Sequence, residues 1–128
     1  MKLLLDTHAF LWWIADDERL SSKARRAIGD GRNEILVSAV SAWEIVVKHE
    51  LGRLTLPEAP DKFVPSQLRA NAFGALPATV SHALAVARLP LLHRDPFDRL
   101  LIAQAMVEGL TMVSADEDLR RYPVRVTW

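Results

Sequence analysis

Three short apolar runs in this chain each stop at a hydroxyl or carboxyl side chain, and segments of helical character lie between them. Residues 2–5 stop at Asp6, residues 34–37 stop at Ser38, and residues 110–113 stop at Ser114-Ala115-Asp116. Runs this short and this apolar read as buried strands, not as helices. Strands separated by helix-length segments cannot pair as simple hairpins, so they imply an α/β chain with a mostly parallel sheet covered on both faces. Ligands of such sheets sit beyond the carboxyl ends of the strands. That geometry puts Asp6 and Asp116 where chemistry is expected.

The connecting segments carry their own start and stop signals. Residues 7–15 begin an apolar helix, and Ser21-Ser22 open a second one that stops near Gly29 and Gly31. Ser38 begins a helix running to about residue 51, with Gly52 just past its end. Residues 61–72 read as helical despite Pro65, Leu76 ends a minor strand, and residues 80–89 are helical. Residues 95–108 give the clearest pattern, with Asp95 as N-cap, Pro96 in the first turn and Gly109 past the end. Residues 124–126 read as a final edge strand. No linker or repeat divides the chain, so residues 1–128 are expected to form one domain with its own core.

Composition removes whole classes of function. The chain has 128 residues and no cysteine, which excludes a disulfide framework, thiolate zinc and a thiol nucleophile, and suits a reducing cytoplasm. Acidic residues interrupt the apolar N-terminus, and no run nears the ~20 residues of a membrane span. Formal net charge is zero, so the overall field does not advertise a nucleic-acid partner. His8, His49, His82 and His93 lack the spacing of a zinc pair, and no phosphate-cradling glycine loop is present.

The carboxylates carry the chemistry. On its helix, Asp98 is followed at i+3, i+4, i+7 and i+8 by Leu101, Ile102, Ala105 and Met106, so it heads the apolar face. A buried carboxylate needs a cation, strong donors or a proton. The competing role is a helix-capping acid, since Asp98 lies three residues after Asp95. For Asp95 that capping role suffices. Glu44 stands on the stripe of Val40, Val47 and Leu51, yet Lys48 at i+4 also permits an ordinary ion pair, and both readings stay open. Asp6 and Asp116 could each merely cap the next element, and Glu117 and Asp118 are expected to be solvated turn acids. Two strand-end acids and two inward helix acids can nonetheless meet at one end of one sheet. Oxygen ligands of that kind select Mg²⁺ or Mn²⁺ over zinc.

Four stretches, LLLDTHAFLWW, SAVSAWEIVVKHELGRL, HRDPFDRLLIAQA and VSADEDL, together resemble the PIN-domain ribonucleases, and among them the VapC-like toxins. The resemblance spans essentially the whole chain. It implies a three-layer α/β/α sandwich and Mg²⁺- or Mn²⁺-dependent cleavage of RNA by metal-activated water, leaving a 5′-phosphate and a 3′-hydroxyl. Asp6, Glu44, Asp98 and Asp116 match the acidic positions, and Ser114 matches a hydroxyl position beside the metal site. The implied partners are an RNA substrate, a VapB-like antitoxin and a second copy of the chain. Lys48, Arg53, Arg69, Arg94 and Arg99 are candidates for RNA backbone contacts, with solvated helix faces as the plainer role. Trp12, Trp13, Leu51 and Leu54 suggest apolar surface for a partner segment or a dimer. The alternative function is a PIN-fold binding module without catalysis. A haloacid-dehalogenase-like phosphotransferase would want a second Asp two residues after Asp6, where His8 stands. A response-regulator receiver would want paired acids near Asp6.

Overall fold

The computed structural model describes residues 1–92 and 95–128. Strand β1 (Lys2–Leu5) leads into α1 (Thr7–Ile14), followed by α2 (Ser22–Gly29), β2 (Glu34–Ser38), α3 (Ala39–Glu50), α4 (Pro60–Asn71), β3 (Gly74–Leu76), α5 (Val80–Ala85), α6 (Pro96–Glu108), β4 (Thr111–Val113) and β5 (Arg125–Thr127). The strands lie in the order β3-β2-β1-β4-β5, and every neighbouring pair is parallel. Leu5 of the central β1 pairs with Val37 on one side and Val113 on the other. The next residues, Asp6, Ser38 and Ser114, therefore stand in one row along the carboxyl edge.

Alternation along β1 divides the core. Leu3 and Leu5 join Phe10, Ile28, Ile45 and Phe63 on one face of the sheet, while Leu4 joins Leu101, Ile102, Met112 and Leu119 on the other. Both faces are apolar because helices cover both, which gives the expected three-layer sandwich. Helix α3 contributes to each side, Ile45 to the first and Val40 to the second. No helix among the described residues is long and apolar enough to cross a membrane.

Two departures from the expected bounds have a local reason. Helix α5 ends at Ala85 and passes through a 3-10 turn (Val86–Arg88), because Leu89 precedes Pro90 and is extended, with φ −79° and ψ 141°. Strand β5 is shifted one residue along, since the Val124 N–H is already given to the Tyr122 carbonyl at 2.8 Å. Helix α4 accommodates Pro65 on its exposed side while Phe63 and Val64 are buried.

Candidate active site

Asp6 is buried and leaves β1 directly into α1, where its Oδ1 caps the helix by accepting the Ala9 N–H at 2.8 Å. Its own N–H goes to the Val113 carbonyl at 3.1 Å, locking it to the end of β4. Burial pushes the Asp6 carboxyl above its ordinary range; bonds from Ser114 and Ala9 and the charge of His8 oppose this, and Glu44 adds to it. Ser114 thus donates its hydroxyl to Asp6, and it accepts the Asp116 N–H at 3.1 Å. One buried serine links the two strand-end acids. Asp116 also caps the 3-10 turn Glu117–Arg121 by accepting the Asp118 N–H at 2.9 Å. Glu117 and Asp118 are exposed, as turn acids should be.

Glu44 is buried on α3 at 3% exposure, so the ion pair that its spacing permits does not make it a surface residue. Oε2 meets Lys48 Nζ, whose own side chain is about one-third exposed. Oε1 accepts the Thr7 hydroxyl at 2.6 Å, and the same hydroxyl lies 2.9 Å from Ser41 Oγ. Thr7 and Ser41 escaped the sequence reading. The available signal for Thr7 was its place directly after Asp6, on the turn that must face the same end of the sheet.

Asp98 sits in the first turn of α6. Asp95 is the cap of that helix, its Oδ1 accepting the Phe97 N–H at 2.9 Å and the Asp98 N–H at 3.2 Å. Asp98 is half-buried, above the fully buried Leu101 and Ile102. Burial, followed by the negative charges of Asp95, Glu44, Asp6 and Asp116 in that order, pushes its carboxyl up to about 7. The four acids therefore share one electrostatic neighbourhood, although they come from four separate stretches of chain. Among the described residues, no group of three or more His, Asp or Glu side chains stands ready-made to hold an ion. Lys48 occupies one oxygen of Glu44.

Beside Thr7 a groove of about 700 Å³ opens between α1, the end of α3 and the start of α4. Leu11, Trp12, Ile45, Leu54 and Phe63 form its apolar lining, and Arg19, Lys48 and Arg53 bring cations to it. Trp12 lies under the Arg19 guanidinium at 4.9 Å and beside Trp128, whereas Trp13 packs into the core and donates its indole N–H to Asn71 at 3.0 Å. Leu51 is 60% exposed. Of the candidate RNA contacts, Lys48 and Arg53 line the groove, Arg69 is exposed on α4, and Arg99 bonds the Pro90 carbonyl at 3.0 Å. Arg94 and His93 lie outside the described residues.

Comparison with known proteins places this geometry in a family. The family described as PIN domain matches residues 3–125. The chain is 36% identical over 129 residues to Ribonuclease VapC22 of Mycobacterium tuberculosis, covering 98% of this chain and 96% of that one. Its fold matches VapBC2 of Rickettsia felis bound to a promoter DNA fragment, with a TM-score of 0.73 at 15% identity over 99% of this chain and 98% of the other. DNA-bound VapBC of Salmonella typhimurium gives 0.68 at 16% identity, over 99% and 97% of the two chains.

Proposed function

Because the chain belongs to the PIN-domain family, we propose that it is a divalent-metal-dependent endoribonuclease, the toxin of a toxin–antitoxin pair. The support is the gathering of four acids at the carboxyl end of a parallel sheet, two of them buried, next to a relative whose name is ribonuclease. Holding such a cluster without a cation is costly, and a fold that keeps it has a use for one. The donors are all oxygens, which fits Mg²⁺ or Mn²⁺. Mg²⁺ keeps several waters and takes one or two carboxylates together with substrate phosphate, so a preformed three-acid cage is not needed.

In this reading Asp6, Glu44, Asp98 and Asp116 would hold the ion between them. The bound ion supplies two things: an acidified water as nucleophile and neutralisation of charge on the phosphoryl oxygens. The chain's own groups do the rest. Ser114 donates to Asp6 while holding the backbone of Asp116, so neither acid turns away. Thr7 fixes one oxygen of Glu44, and Lys48 caps the other and offers a positive charge beside the substrate path. Asp98, together with Asp6, would hold the ion in its carboxylate form. Cleavage leaves a 5′-phosphate and a 3′-hydroxyl.

The expected partners are RNA as substrate, a VapB-like antitoxin whose segment lies in the apolar groove beside the acids, and a second copy of the chain. The compartment that holds both RNA and a cysteine-free nuclease of this kind is the cytoplasm. Residues 1–128 act as one nuclease domain. The deciding experiment incubates the purified chain with single-stranded RNA under Mn²⁺, Mg²⁺ or EDTA, alongside Asp98→Asn. Cleavage that needs the metal and vanishes in the variant is the expected result. RNA retained but never cut would instead establish the binding module.

A further inference from the structure

A chain of buried polar groups runs through the α6 side of the core, and the reaction just described uses none of them. Ser38, at the end of β2, caps α3: its Oγ accepts the Val40 N–H at 2.9 Å and donates to Gln104 Oε1. Gln104 is wholly buried on α6; its Nε2 donates to the Pro77 carbonyl at 3.1 Å and lies 3.3 Å from His82 Nδ1. His82 is 1% exposed, takes the Thr79 N–H on Nδ1 at 3.1 Å, and meets Glu108 Oε1 through Nε2 at 2.8 Å.

The direction of each bond is forced. The Pro77 carbonyl can only accept, so the Gln104 amide must present its NH₂ there and its Oε1 to the Ser38 hydroxyl. His82 Nδ1 faces N–H donors, so the ring proton belongs on Nε2 and is given to Glu108. An apolar core would avoid the cost of burying these groups. What the polar chain adds is direction. Leu101, Ile102, Ala103 and Ala105 of α6 pack by shape alone, and small residues such as Ala tolerate sliding and rotation. The amide of Gln104 bonds the start of α3 and the entry to α5 at once, and it satisfies both only in one seating of α6.

Helix α3 carries Glu44 and helix α6 carries Asp98. We propose that Gln104, held in orientation by His82, is a positioning residue that seats α6 against the N-terminus of α3, so that Asp98 and Glu44 serve the same ion. This inference rests on the nuclease reading above. Displacement of a reacting group by about 1 Å can cost ~100-fold in rate, which sets the scale of the effect.

The test compares the parent with Gln104→Met, which keeps the volume and removes the bonds, and with His82→Asn and His82→Leu. Asn can still accept the Thr79 N–H; Leu cannot. Each protein is titrated with Mn²⁺, reading the concentration for half-maximal rise in melting temperature, and then assayed for kcat and KM on one RNA oligonucleotide. Gln104→Met and His82→Leu should melt cooperatively, need about tenfold more Mn²⁺, and lose ~100-fold in kcat with KM within about threefold. His82→Asn should stay near the parent. An unchanged Mn²⁺ midpoint in a folded Gln104→Met, or a fall in kcat without a shift in that midpoint, overturns the proposal. If Gln104→Met does not fold, the histidine pair decides, and equal behaviour of Asn and Leu overturns it. A parent that never cuts RNA defeats the nuclease reading, while the Mn²⁺ midpoints still judge this one.

Discussion

The two inward-facing helix acids are treated in opposite ways. Glu44 is the more deeply buried, yet α3 supplies its counter-charge one turn on in Lys48, and α1 supplies a hydroxyl in Thr7. Asp98 is less buried, yet its burial, followed by the charges of Asp95, Glu44, Asp6 and Asp116, works against its ionisation. The comparison teaches that depth alone does not describe these acids; the groups around each carboxylate differ as well. On the α3 side the protein neutralises the charge itself. On the α6 side burial and like charge work against the ionised form.

Substituting Asp98 should break this contrast most severely. Asp98→Asn should lower RNA cleavage by about 100-fold or more, the scale of losing one fixed electrostatic element of a phosphoryl site. The same variant should not be less stable than the metal-free parent. A carboxyl held near 7 against an ordinary 3.8 contributes most to the fold while protonated. That contribution is complete below about 3.8 and is lost as pH rises through about 7, and Asp6 shifts in the same direction. The metal-free parent should therefore melt at lower temperature at pH 8 than at pH 5, and Asp98→Asn should flatten that slope. Metal at a hundred times its dissociation constant should return about 2.7 kcal/mol to the parent and far less to the variant. Melting curves at several pH values, with EDTA and with Mn²⁺, decide this; a destabilised variant that still cuts RNA would reduce Asp98 to a cap.

Ser114→Ala tests whether the two strand-end acids act together. Removing a hydrogen-bond partner of a metal-binding side chain typically costs 10- to 100-fold, roughly, in metal affinity or activity. The expected loss appears both in the Mn²⁺ titration and in the cleavage rate, and parental values in both would free Asp6 from Ser114. Lys48→Met works on the other acid. It leaves Glu44 buried without its cation and should destabilise the metal-free protein by ~1–3 kcal/mol. Mn²⁺ should then stabilise the variant more than it stabilises the parent, and a double change with Glu44→Gln should recover most of the loss. Equal metal response in parent and variant would separate Glu44 from the ion. The smallest effect belongs to Asp95→Ala, which should cost about 1 kcal/mol for the lost cap and leave cleavage largely intact. A hundredfold loss of activity there would promote Asp95 from cap to ligand.

Much of this was legible in the sequence because the sheet is buried on both faces. Continuous apolar runs ending in Asp6, Ser38 and Ser114 mark three strand ends, and two-sided burial leaves little choice in how such strands are used. Asp98 was legible for the same reason, since a carboxylate above Leu101 and Ile102 has no solvent-side explanation. Thr7 and Ser41 were not legible. A hydroxyl in a first helical turn has several local uses, and only the folded chain brings Thr7 to Glu44, 37 positions away in the sequence. The Gln104–His82 contacts were hidden likewise, because periodicity reports which face a side chain occupies and not which partner waits there. The shorter α5 was readable from Pro90 in hindsight, whereas the one-residue shift of β5 depended on a turn bond at Tyr122.

The central strand has a consequence for the order in which the acid cluster is assembled. β1 is made well before its neighbour β4 and the Val113 carbonyl that fixes Asp6, since Leu3 pairs with Thr111. Helix α6, with Asp98, also emerges late. A ribosome that has made the chain as far as Glu50 would therefore hold Asp6 and Glu44 with no β4 and no α6 to bring Asp116 and Asp98 to them. A chain stalled before Thr111 lacks β4 and the Val113 carbonyl that fixes Asp6, so its row of strand ends is incomplete.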